Sequence, residues 1–289
     1  MFRHPSIVAE TLRQYSEIIA APAGELENLL TMARTVEAAC RTVVANLIRL
    51  EMVGSRTRGS SLRASDSLDV LVVASAGTWG SDSAAAIRDL VLRLAPILAV
   101  PTWADRLGAF AEVDGSAGAG LVLIPAFPVA EAAGIEVLAI PGGSSTWIHS
   151  TPSAHANYLA RAQLRAGRGL ADVVRLLRAW SLLREDASAI RTFPMELHLA
   201  DAGACTPCAP LPVCLLEAFR TLQRAVGEGR TVRDPLGYCN DLELADPLRR
   251  PSLAQELDRA RELAEDALVL EVRGDVAGAI RRWTRALGC

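Results

Sequence analysis

The chain has 289 residues, 51% of them hydrophobic, which is enough for one large core or two joined ones. A formal net charge of −3 argues against strong, general attraction to nucleic acid. No apolar run reaches membrane-spanning length, and the opening Met1-Phe2-Arg3-His4-Pro5 leads into a polar segment unlike a signal peptide. All 30 basic residues are arginine, which keeps its charge and grips phosphate through two parallel hydrogen bonds. This bias, with abundant Ala, Leu and Val, fits a GC-rich bacterial genome. The six cysteines (Cys40, Cys205, Cys208, Cys214, Cys239 and Cys289) are expected to be reduced thiols in a cytoplasmic protein.

Residues 5–21 read as a short helix that breaks at Ala21-Pro22-Ala23-Gly24. From Glu25 to Met52, Leu29, Leu30, Ala33, Val36, Ala39, Val43, Val44, Leu47 and Ile48 recur at helical spacing, which predicts one long helix. Leu68–Ala74 is a nearly unbroken apolar run, expected as a strand covered on both faces. Ser81 or Asp82 can cap a helix over 83–99, and Pro101 stops it. Ala109–Val113, Gly120–Phe127 and Ile135–Ile140 are strand-like. Ala154–Arg165, Leu170–Leu183, Leu253–Val272 and Asp275–Leu287 are expected helices. The division predicted is an α/β unit over residues 1–150, including the long N-terminal helix, and a helical unit over 151–289.

The most informative stretch runs from Val53 to Val73. Gly54-Ser55 is a turn whose free backbone N–H groups suit phosphate oxygens. Arg58-Gly59-Ser60 follows in a polar loop, where Arg56, Arg58 and Arg63 read as solvated surface charges, with phosphate contact as the alternative. Asp66 and Asp69 stand at the entrance of the next strand, where carboxylates can hold the Mg²⁺ that accompanies a triphosphate. Side chains alternate along a strand, so positions 67 and 69 share one face and Asp66 points the other way. Farther on, His198, Cys205, Cys208 and Cys214 form an H-x₆-C-x₂-C-x₅-C pattern compatible with structural zinc. The alternative is a buried helix face, His198 and Cys214, flanking the Pro-rich loop Thr206-Pro207-Cys208-Ala209-Pro210.

Gly54-Ser55, Arg58-Gly59-Ser60 and Ser67-Leu68-Asp69-Val70 together resemble the nucleotidyltransferase signature. They are most similar to the branch containing cyclic GMP-AMP synthase, oligoadenylate synthase and the bacterial CD-NTases. In that register the paired metal carboxylates fall at positions 67 and 69, and position 67 is serine. Leu121-Val122-Leu123-Ile124-Pro125-Ala126 resembles the strand that carries the third carboxylate, with Val122 in its place. Arg178, before Ala179-Trp180, takes the position of a triphosphate-contacting lysine. Thr192-Phe193-Pro194-Met195-Glu196 resembles a box whose hydroxyl also meets phosphate, and Asp234-Pro235 with Asn240 resembles a later one. The cysteine pattern is similar to the zinc loop of animal cyclic GMP-AMP synthase.

The resemblance implies an α/β nucleotidyltransferase core (polymerase beta-like, with a mixed sheet) plus a helical C-terminal half. It implies nucleotide contacts at Gly54, Ser55, Arg58, Ser60, Arg178 and Thr192, with Asp69 as the remaining catalytic carboxylate and Mg²⁺ ligand and Asp66 as a weaker stand-in. With serine and valine at two metal positions, the leading expectation is a catalytically degenerate nucleotide-binding or regulatory protein, placed by resemblance in bacterial antiphage signalling. A nucleoside triphosphate or nucleotide, and a protein, are the expected partners. An active synthase of cyclic or linear oligonucleotides and a protein-interaction scaffold with an empty cleft are the rivals.

Overall fold

In the computed structural model, which describes residues 6–63, 67–98, 102–104, 108–112, 120–142, 145–167, 169–239 and 241–289, the chain divides into two units. One is an α/β unit of Ala21–Asn157 with Leu236–Asn240. The other is a helical unit of Met1–Ala20, Tyr158–Pro235 and Asp241–Cys289. Asp66 and Asn240 lie outside the described residues.

Helix α1 (Ile7–Ile19) starts at Ser6, whose Oγ accepts the Ala9 N–H at 3.0 Å. Its apolar side, Val8 and Leu12, is buried in the helical core, so the first helix belongs with the C-terminal helices and not with the sheet. Residues 1–150 therefore do not form one unit.

Helix α2 (Ala23–Val43) ends nine residues short of the predicted Met52. Asn46 takes a left-handed turn (φ 51°), and Leu47–Val53 becomes strand β1. The physical reason is pairing. β1 forms an antiparallel ladder with β2 (Leu68–Ala74), and those hydrogen bonds override a helical periodicity that runs on through Leu47 and Ile48. A short helical turn, α3 (Ser55–Arg58), lies between the two strands.

After β2 come α4 (Ala76–Trp79) and α5 (Ser83–Leu94), the latter capped by Asp82, whose carboxylate accepts the Ala85 N–H at 3.0 Å. Then follow β3 (Thr102–Ala104), β4 (Ala109–Glu112), β5 (Gly120–Ala132), β6 (Ile135–Pro141) and β7 (Trp147–Ser150). The sheet order is β1-β2-β5-β4-β3, with β6 joined to β5 and β7 to β6. β2 and β5 run parallel while the other pairs are antiparallel, so the sheet is mixed, as expected. Ala133 and Gly134 both have positive φ, the backbone of a two-residue turn between β5 and β6.

Alternation on β2 divides the α/β core. Leu68, Val70, Val72 and Ala74 pack with Leu29, Val36 and Cys40 of α2 and with Ala86 and Leu90 of α5. Leu71 and Val73 face the other way, against Ala126 and Leu138. The run is thus buried on both faces.

The helical unit takes up α6 (Pro152–Ala166) from Tyr158 onward and adds α7 (Gly169–Leu182), α8 (Thr192–Asp201), α9 (Leu211–Gly227), α10 (Arg250–Val272) and α11 (Val276–Leu287). A small ribbon, β8 (Thr231–Val232) with β9 (Leu242–Glu243), lies between α9 and α10. Its core centres on Trp180 and Phe219, fully buried and edge-to-face with centroids 5.5 Å apart. Leu177, Leu215, Leu257 and Trp283 surround the same core.

Replacing Phe219 with alanine removes half of that aromatic pair and leaves a cavity; urea denaturation is expected to show a loss of about 3–5 kcal/mol. Leu164→Ala, at a side chain 83% exposed, should change stability by less than about 0.5 kcal/mol. Equal losses at the two positions would contradict this placement of the core.

Candidate functional site

The end of β1 turns sharply at Gly54, with φ 87°. A Cβ built there would overlap the Asp69 carboxylate, standing 3.0 Å from its Cγ and 3.3 Å from its Cβ. Only glycine satisfies both the backbone angle and this approach. Gly54 and Asp69 are therefore brought together.

The loop then coils through α3. The Thr57 hydroxyl donates to the Gly54 carbonyl at 2.9 Å, and the Ser60 N–H donates to the Ser55 carbonyl at 3.1 Å. Gly59 closes the turn in the left-handed region (φ 72°). Ser60 is buried, while Ser55 and Arg58 are half-buried. Arg56 differs from its reading as a surface charge. Its side chain is 1% exposed and donates to Glu25 of α2 at 3.2 and 3.3 Å, so it anchors the loop from inside.

Strand register fixes what stands beside Asp69. Val53 of β1 is its partner on one side and Val122 of β5 its partner on the other. Direct neighbours in a sheet share a face, and this is the face of Leu71 and Val73. Ser67 is half-buried and lies just before β2 begins. Asp69 thus has a valine beside it on each neighbouring strand.

In the helical unit, Arg178 is half-buried on α7, two residues before the core Trp180. Thr192 is the first residue of α8 and half-buried, and Glu196 of the same box is buried one turn on. The sequence missed α9 and the packing of α1 against α7 and α9, because single-helix periodicity does not say which helices meet.

The four candidate zinc ligands do not assemble. Among the described residues, no three of His198, Cys205, Cys208 and Cys214 bring their ligand atoms within 4.8 Å of one another. His198 on α8 is half-buried, and burial lowers its pKa. Cys208 sits exposed in the turn before α9. Cys205 and Cys214 are buried, and the Cys214 thiol donates to the Ala209 carbonyl at 3.8 Å; the influence of Cys205 holds the Cys214 thiol down at about 7 against the effect of burial, while Cys205 itself is pushed up.

Among the described residues, no helix is long and apolar enough to cross a membrane. No family model and no curated protein sequence matches the chain. Solved structures do. Escherichia coli MS115-1 CdnC with ATP superposes with a TM-score of 0.79 at 17% identity, over 97% of this chain and 98% of CdnC. The same protein in its complex with HORMA-deltaN gives 0.76 at 15% identity, over 98% and 97%. The Bradyrhizobium diazoefficiens CD-NTase CdnG with GTP gives 0.76 at 12% identity, over 98% of both chains. At these identities the likeness is one of fold: the chain has a CD-NTase-like nucleotidyltransferase fold.

The Gly54–Asp69 approach makes a contrast testable by thermal melts. Gly54→Ala has to displace the Asp69 carboxylate and strain the backbone, an expected cost of about 2–3 kcal/mol. Gly59→Ala meets no atom within 4 Å and pays only the left-handed penalty, about 1 kcal/mol. A harmless Gly54→Ala would show that the two groups are not in contact.

Proposed function

We propose that this chain uses its CD-NTase-like fold to bind a nucleoside triphosphate or nucleotide without joining nucleotides through phosphodiester bonds. The pairing of Asp69 with Val122 carries this reading. Nucleotidyl transfer needs two cations roughly 3.5–4 Å apart, one activating the attacking hydroxyl and one neutralising the leaving pyrophosphate. Mg²⁺ is a hard ion that wants anionic oxygen and gives up its waters reluctantly. Valine has no ligand atom, and Ser67 is neutral. The donor set fits at most one cation, held by Asp69 together with phosphate oxygens, and does not fit the activating pair.

Phosphate binding asks less of the protein. Gly54, Ser55, Arg58 and Ser60 are the proposed contacts of the α/β unit, and Arg178 and Thr192 those of the helical unit. Arginine supplies charge-assisted, bidentate hydrogen bonds. That CdnC was seen with ATP and CdnG with GTP supports a nucleoside triphosphate as the ligand class. The complex of CdnC with HORMA-deltaN supports a protein partner as a second function of the fold. The resemblance supports bacterial antiphage signalling as the setting, with this chain as sensor or regulator.

The test incubates the protein with labelled ATP, GTP, CTP and UTP, with Mg²⁺ and then Mn²⁺, beside thermal melts of the same mixtures. The expected outcome is no oligonucleotide product and stabilisation by one nucleotide, about 2.7 kcal/mol at 100 times its dissociation constant. Products that vanish in Asp69→Ala would make the chain an active synthase. Neither product nor stabilisation would leave a scaffold reading.

Variants sharpen the result. Arg178→Ala should cut the nucleotide's binding energy by about 1.5–3 kcal/mol, as expected for one hydrogen bond to a charged group. Ser67→Asp combined with Val122→Asp restores the acids and is expected to create measurable nucleotidyl transfer from an inactive parent. Continued silence with intact folding would show that more than the metal site has been lost.

A further inference from the structure

Helices α1 and α11 of the helical unit face each other with matching stripes. On α1, Val8, Thr11, Leu12 and Tyr15 follow the i, i+3, i+4, i+7 spacing that puts four side chains on one side of a helix. On α11, Ile280, Trp283, Thr284 and Leu287 repeat that spacing. The two stripes do not close on each other. With Cys289 they line a cavity of about 160 Å³. Protein interiors leave few voids larger than a water molecule. Apolar cavities of about 150 Å³ stay dry and accept a single ring such as benzene. Thr284 and Cys289 are exposed, so the cavity has an open side.

The polar groups around it divide into two kinds. The Thr11 hydroxyl donates to the Ile7 carbonyl at 2.8 Å and the Thr284 hydroxyl to the Ile280 carbonyl at 3.0 Å, so both are spent on their own helices. Tyr15 and Trp283 are different. The Cys289 thiol donates to the Tyr15 oxygen at 2.8 Å, and the tyrosine's own proton has no acceptor among the described residues. Burial pushes the Tyr15 pKa up, so the hydroxyl keeps that proton. Trp283 is 2% exposed, and its Nε1 is buried with no hydrogen-bond partner among the described residues. A buried indole N–H normally finds an acceptor. The residues lining this cavity therefore carry two donors that lack an acceptor. Among the described residues no Asp, Glu, Arg or His lines it, so a charged ligand would lose its hydration without compensation.

We propose that the seam between α1 and α11 is a binding site for a small, uncharged single-ring compound that carries an oxygen acceptor, phenol being the simplest example. The ring lies between the apolar walls of Val8, Leu12, Ile280 and Leu287. Its oxygen accepts from the Tyr15 hydroxyl, the donor at the Cys289 end of the cavity. Burial of the ring supplies most of the affinity, and the tyrosine supplies the preference for an oxygen-bearing ring over a bare one.

The experiment titrates the full chain with phenol and with benzene in a calorimeter. Both are expected to bind saturably at one site, phenol about 2- to 10-fold more tightly, the ratio that one neutral hydrogen bond gives. Tyr15→Phe keeps the ring and removes the donor; it should bring phenol down to the affinity of benzene and leave benzene unchanged. Ile280→Phe, at a half-buried wall residue, adds bulk to the cavity and should block both ligands, with circular dichroism confirming an intact fold. No saturable phenol binding to the folded parent chain, equal affinities for phenol and benzene, or phenol binding that survives Tyr15→Phe unchanged would each overturn the proposal. So would full binding of both ligands to Ile280→Phe.

Discussion

Backbone pairing of β1, β2 and β5 sets Val53, Asp69 and Val122 side by side, and the α/β unit's chemistry depends on that register. A slip of one residue would send Asp69 into the face occupied by α2 and α5, where a carboxylate would have to shed its water among Leu29, Val36 and Leu90. The apolar run of β2 prevents the slip, because Leu68, Val70 and Val72 already fill that face. Gly54 completes the constraint. Its missing side chain is what allows the turn after β1 to lie against Asp69.

The same geometry shows that the sheet does not depend on which side chain stands at position 122. Val122 keeps its place in the ladder whether or not it carries a carboxylate, since the β2–β5 hydrogen bonds come from the backbone. Valine is also a good strand residue. The loop that would meet phosphate is held separately, by the buried pair of Arg56 with Glu25 and by backbone bonds from Ser60 to Ser55. The residue at position 122 and the fold of the 54–60 loop are therefore held by separate contacts.

The helical unit has its own core and its own polar centre. The Ser16 hydroxyl on α1 donates to the buried Asp172 of α7 at 2.9 Å, and Arg175 pairs with the same carboxylate. Shared partners of this kind tie the first helix of the chain to helices that follow it by more than 150 residues in sequence. The cysteine loop lies beside Gly169 at the start of α7, and Gly169 also lines a cavity of about 440 Å³.

Much of this was legible before any coordinates. The apolar run at 68–74, the glycines of the turn, the strand at 120–127 and the final helices are local signals, written in residues that touch each other or their own backbone. The mixed α/β core with a helical half also followed from the motif order. Where the sequence reading failed, the deciding partner was far away. Residues 47–53 carry helical spacing and became a strand because β2 offers its edge. Arg56 reads as a solvated charge and is buried because Glu25 is there to pair with it. Residues 198–214 carry zinc spacing, yet His198 sits on α8, Cys208 in an exposed turn and Cys214 on α9, where its thiol donates to the Ala209 carbonyl, so their ligand atoms do not gather. The sequence by itself determined which residues stand at Gly54, Ser67, Asp69 and Val122 in the motif that resembles the nucleotidyltransferase signature, because those are identities in short stretches of chain. Tertiary structure alone decided which of them meet, because strand register, buried charge pairing and thiol contacts depend on segments that the chain brings together only by folding.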